Sequence, residues 1–313
     1  MSMKTLICGS LAYDSILVFQ DSFKNHILPD QIHILNVCFY VPEMRREFGG
    51  CAGNIAYNLR LLGGDPLIMA TIGDDNAPYM HRLKQLGLDA AHVRTVPGSF
   101  TAQAFITTDV DDNQITAFHP GAMLQSHQNH ITDAQGVGLG IVAPDGRDAM
   151  LQHARDFKAA GVPFIFDPGQ GLPMFNGEEL LAFVKQADYC TVNDYEAKLL
   201  CERTGLTLEQ LATEVKALIV TRGGEGSDIY ADGKLIKVAS VKPDAILDPT
   251  GCGDAYRAGL LHGIAQGWDW QKTGQLASLL GSIKIAHRGG QNHKPTRDEL
   301  AHRYQQAFGS TLW

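Results

Sequence analysis

Six short apolar runs recur along the chain: Thr5–Gly9, Pro66–Ile72, Gly138–Ala143, Pro163–Asp167, Ala187–Val192 and Lys216–Thr221. Each is followed by a stretch with helical spacing of apolar positions, which predicts parallel strands joined by crossover helices. Such strands are buried on both faces, so they read as continuous rather than alternating apolar runs. Ligands of open parallel sheets bind outside the carboxyl ends of the strands, and Asp14, Asp167, Asn193 and Thr221 fall at or just after those ends. A second pattern interrupts the first. Tyr13–Phe19, Gln31–Tyr40, Thr101–Thr108 and Asn113–Phe118 alternate or run as β-type segments, predicting a small antiparallel sheet beside the main one. The acidic link 109–112 between the last two reads as solvated turn formers rather than a metal cluster.

Composition narrows the partners. A net charge of -8 over 313 residues argues against a nucleic-acid or anionic-membrane partner, since either favours a basic face, and leaves a small-molecule substrate. A chain of this size buries about three quarters of its unfolded surface, enough for one large α/β domain with an appendage. The six cysteines show neither CxxC pairing nor zinc spacing, which predicts reduced thiols and a cytoplasmic location. The first residues lack a continuous signal-peptide core, and no run of about 18 apolar residues occurs. Of the twelve histidines, His81, His92, His127, His130, His153 and the C-terminal ones read as surface residues, and His119 as a partly exposed one beside the small sheet. No GxGxxG follows the first strand and no GxxxxGK[ST] occurs anywhere, which disfavours a dinucleotide oxidoreductase and a P-loop NTPase.

The chemistry concentrates in two glycine-rich helix entries. Asp248-Pro-Thr-Gly-Cys-Gly-Asp254 precedes a helix-like Ala-Tyr-Arg-Ala-Gly, so bare N–H groups of Gly251, Cys252 and Gly253 converge where the helix dipole adds positive charge. That is an anion site with a carboxylate, Asp254, beside it; the alternative is a tight loop with Asp254 as an ordinary helix cap. Phe48-Gly-Gly-Cys-Ala-Gly-Asn54 is the second entry, and its amide offers a donor and an acceptor suited to a sugar hydroxyl, or again a cap.

These motifs resemble the paired signatures of the PfkB, or ribokinase-like, carbohydrate and nucleoside kinases, a GGxxxN box followed by a DxxGxGD box. The resemblance extends to Asp14 after the first strand, to Asn193-Asp-Tyr-Glu196 as an NxxE box and to Thr221-Arg-Gly-Gly-Glu-Gly226 as a nucleotide loop, and so covers nearly the whole chain. Within the family, Gly9–Asp14, Phe118–Met123 and Asn193–Glu196 look most like the bacterial adenosine kinases. The resemblance implies a single kinase domain over 1–313, a ribokinase-like three-layer α/β/α sandwich with a mainly parallel central sheet and a small antiparallel β lid from segments 13–19, 31–48 and 101–120. It implies ATP-dependent phosphorylation of a nucleoside 5′-hydroxyl, adenosine first, with free-sugar phosphorylation as the alternative and a non-catalytic nucleotide-binding module as the reading from another class.

Residue by residue, the resemblance makes Asp254 the general base with Gly251, Cys252 and Gly253 around the transferred group. Ser10, Asp14, Gly50 and Asn54 belong to the acceptor, the Asp14 carboxylate having two oxygens for vicinal ribose hydroxyls, or else serving as a turn residue. Phe118, with Phe105 nearby, offers a face for a base, or packs the lid. Gln170 reaches the base edge, although Gly169-Gln-Gly171 and Ala104 depart from the adenosine kinase pattern. Thr221, Gly223 and Gly226 line the nucleotide, with segment 286–291 near the adenine. Glu196, with Asn193, anchors Mg²⁺ through water, or is a helix-surface charge. A K⁺ ion with Asp248 among its ligands and a homodimer through the lid complete what the resemblance implies.

Overall fold

The computed structural model describes residues 3–27, 36–111 and 113–313. In chain order its elements begin with β1 (Lys4–Cys8), β2 (Ala12–Val18), β3 (Glu43–Gly49), α1 (Cys51–Leu61), β4 (Asp65–Ile72), α2 (Ala77–Gln85) and β5 (Asp89–Thr95). The middle third contributes β6 (Ala102–Thr108), β7 (Gln114–His119), β8 (Val137–Val142), α3 (Arg147–Ala160), β9 (Phe164–Phe166) and α4 (Gly177–Gln186). The remainder comprises β10 (Tyr189–Asn193), α5 (Asp194–Thr204), α6 (Leu208–Ala212), β11 (Ala217–Thr221), β12 (Ser227–Ala231), β13 (Lys234–Val238), α7 (Cys252–Ala265), α8 (Trp270–Ile285) and α9 (Arg297–Phe308).

The six apolar runs become β1, β4, β8, β9, β10 and β11 of one nine-stranded sheet, ordered β13-β12-β11-β10-β9-β8-β1-β4-β5. Every pairing from β11 to β5 is parallel, and only the edge hairpin β12–β13 runs antiparallel. Alternation sends neighbouring side chains to opposite layers. Ile7 and Ile219 pack with α1, α7 and α8, whereas Leu6, Cys8, Leu218 and Val220 pack with α3, α4 and α5. The rings of Phe166 in β9 and Phe183 in α4 stack at 4.3 Å, a contact worth about 0.5–1.5 kcal/mol beyond the area it buries. This is the ribokinase-like three-layer sandwich.

A four-stranded sheet, ordered β3-β2-β6-β7, stands beside it as the lid. Its outer pairings are antiparallel, and β2 pairs with β6 in parallel. The predicted strand Gln31–Tyr40 is not the lid's edge. Residues 31–35 lie outside the described residues, 36–40 form no strand, and the edge is Glu43–Gly49 instead. Three histidines read as surface residues are buried. His153, His262 and His293 lie inside the packed helical layers. Among the described residues no helix is long and apolar enough to cross a membrane.

Candidate active site

The two glycine-rich entries meet at the carboxyl ends of the parallel strands. Gly50 has φ +86, and a Cβ there would lie 2.5 Å from the Ser10 carbonyl oxygen, so only glycine fits where the chain turns from lid strand β3 into α1. Ser10 fastens that turn from below: its Oγ accepts from the Cys51 N–H at 3.2 Å and its carbonyl from the Ala52 N–H at 3.0 Å. Asn54, buried in the first turn of α1, then points across the cleft. Its Nδ2 donates to Asp254 Oδ2 at 2.8 Å while its Oδ1 accepts from Gln291 Nε2 at 3.2 Å. Gln291 also donates to the Tyr79 hydroxyl at 3.0 Å, and Tyr79 donates to the Gly49 carbonyl at 2.6 Å. Tyr79 carried no sequence signal, because it acts through main chain and through a partner more than two hundred residues away, whereas Gln291 ends the segment 286–291 expected near the adenine.

Gly251 caps α7 in the left-handed region at φ +78. The Cys252 N–H closes a turn onto the Pro249 carbonyl at 3.1 Å, so this group is engaged within the loop rather than open to an anion. The main-chain N–H groups of Gly251, Gly253 and Asp254 have no protein acceptor among the described residues, and they stand at the positive end of the helix dipole. Asp254 lies in that first turn. Burial pushes its carboxyl up to about 6, the Asn54 amide and the Arg257 charge pull the other way, and Asp167 adds repulsion. Asp14 is likewise pushed up to about 6, first by burial and then by the negative charges of Asp254, Asp248 and Glu47. The cleft therefore collects four carboxyls, from β2, from β3, from the loop before α7 and from α7 itself.

Arg257, one turn further along α7, answers part of that charge. It is buried, and its Nε and Nη2 each donate at 2.9 Å to the two oxygens of Asp167 at the end of β9. Burial opposes its charge, but Asp167, Glu196 and Asp254 raise its pKa above the ordinary guanidinium value. Glu196 and Asn193 form a reciprocal capping box on α5, with Asn193 N–H donating to Glu196 Oε2 at 2.8 Å and Glu196 N–H to Asn193 Oδ1 at 2.7 Å. Burial raises the Glu196 carboxyl, with Asp167 adding and Arg257 opposing. Glu196 is therefore not the helix-surface charge offered as its alternative: it is buried and caps α5 with one carboxylate oxygen, which leaves Oε1 without a protein partner among the described residues.

Beyond the α7 entry lies a cavity of about 520 Å³. Thr221, Gly223 and Gly226 line one wall, Val241, Ile246 and Ile285 supply apolar surface, and Cys252 and Gly253 close the end nearest Asp254. It gathers the expected nucleotide-loop residues, while Asn193 and Glu196 stand outside its lining. Segment 286–291 does not line it either: Gly289 N–H donates to Asp248 Oδ2 at 2.8 Å, and a Cβ on Gly290 would lie 2.4 Å from Asn54 Oδ1. Asp248 also accepts from the Thr250 N–H at 2.9 Å. Burial would raise its carboxyl, but these two N–H groups and the Lys284 charge outweigh it and hold the group below its ordinary value.

The lid supplies the opposite wall. Glu47, Asp14, Ala104 and Phe118 are successive cross-strand partners, so all four share one face of the sheet. Phe118 is half exposed. Phe105 pairs with Ser15 and Ala117 and therefore stands on the other face, away from Phe118. Gln170 is exposed on the 3-10 turn Gly169–Met174 after β9. Asp109 in the acidic link accepts from the N–H groups of Phe23, Asp111 and Asn113, the pattern of a turn former. Among the described residues no three His, Cys, Asp or Glu side chains are grouped to hold a metal ion.

The pfkB family carbohydrate kinase pattern matches residues 17–297. A nucleoside kinase of Methanocaldococcus jannaschii is 31% identical over 274 residues, covering 86% of this chain and 89% of that one. The structure of Burkholderia thailandensis nucleoside kinase in complex with inosine superposes with a TM-score of 0.90 at 53% identity, covering 98% of this chain and 99% of that one. The same kinase in complex with ADP-inosine gives a TM-score of 0.88 at 55% identity, covering 98% and 97%.

Proposed function

This chain belongs to the pfkB family of carbohydrate kinases and is an ATP-dependent kinase, and we propose that its acceptor is the 5′-hydroxyl of a nucleoside, adenosine first among them. The observation that carries the reading is the position of Asp254, a partly buried carboxyl between a cavity of about 520 Å³ on one side and the Asp14 wall of the lid on the other. Phosphoryl transfer needs in-line positioning, charge neutralisation and a place for the hydroxyl proton rather than covalent help. In this proposal Asp254 takes the 5′-hydroxyl proton. The open N–H groups of Gly251 and Gly253 and the α7 dipole hold the negative charge of the transferred group. Asn54 keeps the Asp254 carboxylate in one orientation through its amide.

The acceptor side follows from the lid register. Asp14 presents two acceptor oxygens to a ribose diol, and Phe118 stands on the same face two strands away, roughly 9–10 Å, a span that a nucleoside bridges and a free pentose does not. Ser10 and Gly50 shape the floor beneath the ribose, and Gln170 stands at the edge reached by the base. The relative solved with inosine supports a purine nucleoside of some kind.

Mg²⁺ supplies neutralisation of the β- and γ-phosphate charge when bound. Glu196 fits an outer-shell role, because Oε1 is left to accept from a metal-bound water while the rest of the carboxylate is fixed by Asn193. Thr221, Gly223 and Gly226 line the space for the nucleotide. All six cysteines are free thiols, which supports a cytoplasmic location. Met44 and Ile115 are exposed in one cross-strand row of the lid, on the face that also carries Phe105, and a homodimer through that face is the association we propose.

A coupled ADP-release assay with adenosine, inosine, guanosine, ribose and fructose tests the reading. Turnover on adenosine and other nucleosides is expected; turnover confined to the free sugars overturns it.

A further inference from the structure

The resemblance implies a monovalent cation with main-chain carbonyls and Asp248 among its ligands, and the residues here do not fit one. Lys284, in the last turn of α8, has no solvent exposure at all. Its Nζ donates to the Asp248 carbonyl at 2.7 Å and to the His287 carbonyl at 3.0 Å. The Asp248 carboxylate is engaged separately by the N–H groups of Thr250 and Gly289. Two main-chain carbonyls of this region thus already face a cationic group, the Lys284 ammonium.

We propose that the Lys284 ammonium is a tethered monovalent cation, which joins the 248–251 loop to segment 286–291 and makes phosphoryl transfer independent of K⁺. A lysine that merely capped α8 would bond the helix's own last carbonyls and keep its head in water. Lys284 instead reaches the Asp248 carbonyl, 36 residues away, and is sealed from solvent, an arrangement that burial penalises unless the charge has fixed acceptors. What it joins is the reacting region. Asp248 begins the loop that ends at Gly251 and Asp254, and the segment after His287 carries Gly290 against Asn54 and Gln291 onto Asn54. Lys284 is thus a positioning residue: its charge fixes the two loops whose N–H groups and amide surround the transferred group.

The inference rests on the kinase reading, so the test includes a readout that needs no turnover. Wild-type initial rates are compared in KCl and in tetramethylammonium chloride at equal ionic strength, and agreement within about twofold is expected, since no external ion is required. Activation of tenfold or more by K⁺ overturns the proposal. Thermal melting of the ligand-free protein in the same salts, with NH₄Cl added, is compared for wild type and Lys284→Ala. The wild type should melt alike in all of them, whereas the variant should melt lower and recover specifically with K⁺ or NH₄⁺, along with its turnover. A variant that folds yet responds to neither ion, in melting or in rate, overturns the tethered-cation role and leaves only a structural one. Should no substrate be phosphorylated by the wild type, the kinase reading fails while the melting comparison still decides the ion's place; should Lys284→Ala fail to fold, the wild-type rates decide it.

Discussion

Asn54 Nδ2 donates to Asp254 Oδ2 at 2.8 Å, joining the first turn of α1 to the first turn of α7 across 200 residues of chain. The bond fixes the carboxylate proposed as the base relative to the glycine-rich entry of α1. Replacing Asp254 by Asn keeps the shape and removes the proposed base. General-base assistance contributes about 10²–10⁴-fold, so kcat should fall by that factor while the nucleoside KM changes by no more than about threefold. Steady-state kinetics of the variant check this, and retained turnover would contradict the assignment of Asp254.

The pH dependence has a defined sign. Both Asp14 and Asp254 are pushed up to about 6 from 3.8, mainly by burial, and in the proposed mechanism both act as carboxylates. We expect kcat/KM to be flat above neutrality and to fall below about pH 6, steepening where both groups protonate. Stability runs the other way. A carboxyl whose folded pKa lies above its unfolded value contributes stability that is fully present below the unfolded pKa and lost as pH rises through the folded one. Asp254→Asn should therefore melt higher than wild type at pH 8 and gain little at pH 4. A variant less stable than wild type at both pH values would contradict the burial argument.

Arg257 and Asp167 form a closed pair inside the protein, and removing one partner strands the other. Arg257→Met should cost about 3–5 kcal/mol, because the Asp167 carboxylate would remain buried without its bidentate donor. Replacing both residues with apolar groups of similar volume should recover much of that loss. Denaturant unfolding of the single and double variants measures it, and a single-variant cost below about 1 kcal/mol would show that water reaches Asp167.

Much of this architecture was legible because doubly buried strands leave uninterrupted apolar runs, and all six such runs became parallel strands. What escaped has physical reasons. Strand β5 is an edge and carries Asp89, His92 and Arg94 among its residues, so it lacks the buried-strand signature. Lid strand β3, Glu43-Met-Arg-Arg-Glu-Phe-Gly49, is charged because its side chains reach solvent, whereas the more apolar Gln31–Tyr40 drew the prediction. The β12–β13 hairpin did carry a signal, Asp232-Gly233, both at positive φ, which matches the tight turn of a two-residue hairpin. In the site, the glycine entries and Asp14 were visible as motifs. Arg257 and Lys284 were not, since one finds its partner 90 residues away and the other bonds only main-chain carbonyls.

Phe118 tests the acceptor side. If its exposed ring carries the base, Phe118→Ala should remove about 1–3 kcal/mol of binding, a roughly 5- to 150-fold rise in the nucleoside KM, with the KM for ATP unchanged. Because the side chain is half exposed, the fold should not suffer, and melting should match wild type within about 2 °C. Equal affinity in the variant would return Phe118 to the role of a lid surface residue.

Gly281 offers an independent test of where the nucleotide binds. It lines the cavity beyond Gly253, and a Cβ added there would meet only the Cys252 carbonyl, at an ordinary 3.7 Å. The helix therefore accepts a larger residue, and leucine in place of glycine also gains about 0.5–1 kcal/mol of helix propensity. The rest of that side chain has to project into the cavity. Gly281→Leu should fold at least as stably as wild type, raise the KM for ATP tenfold or more, and leave nucleoside binding within about twofold. Calorimetric titration with ADP and with adenosine separates the two effects. Undiminished ADP affinity in a stable variant would mean that the 520 Å³ cavity is not the nucleotide site, and the transferred phosphoryl group would then have to reach Asp254 from another direction.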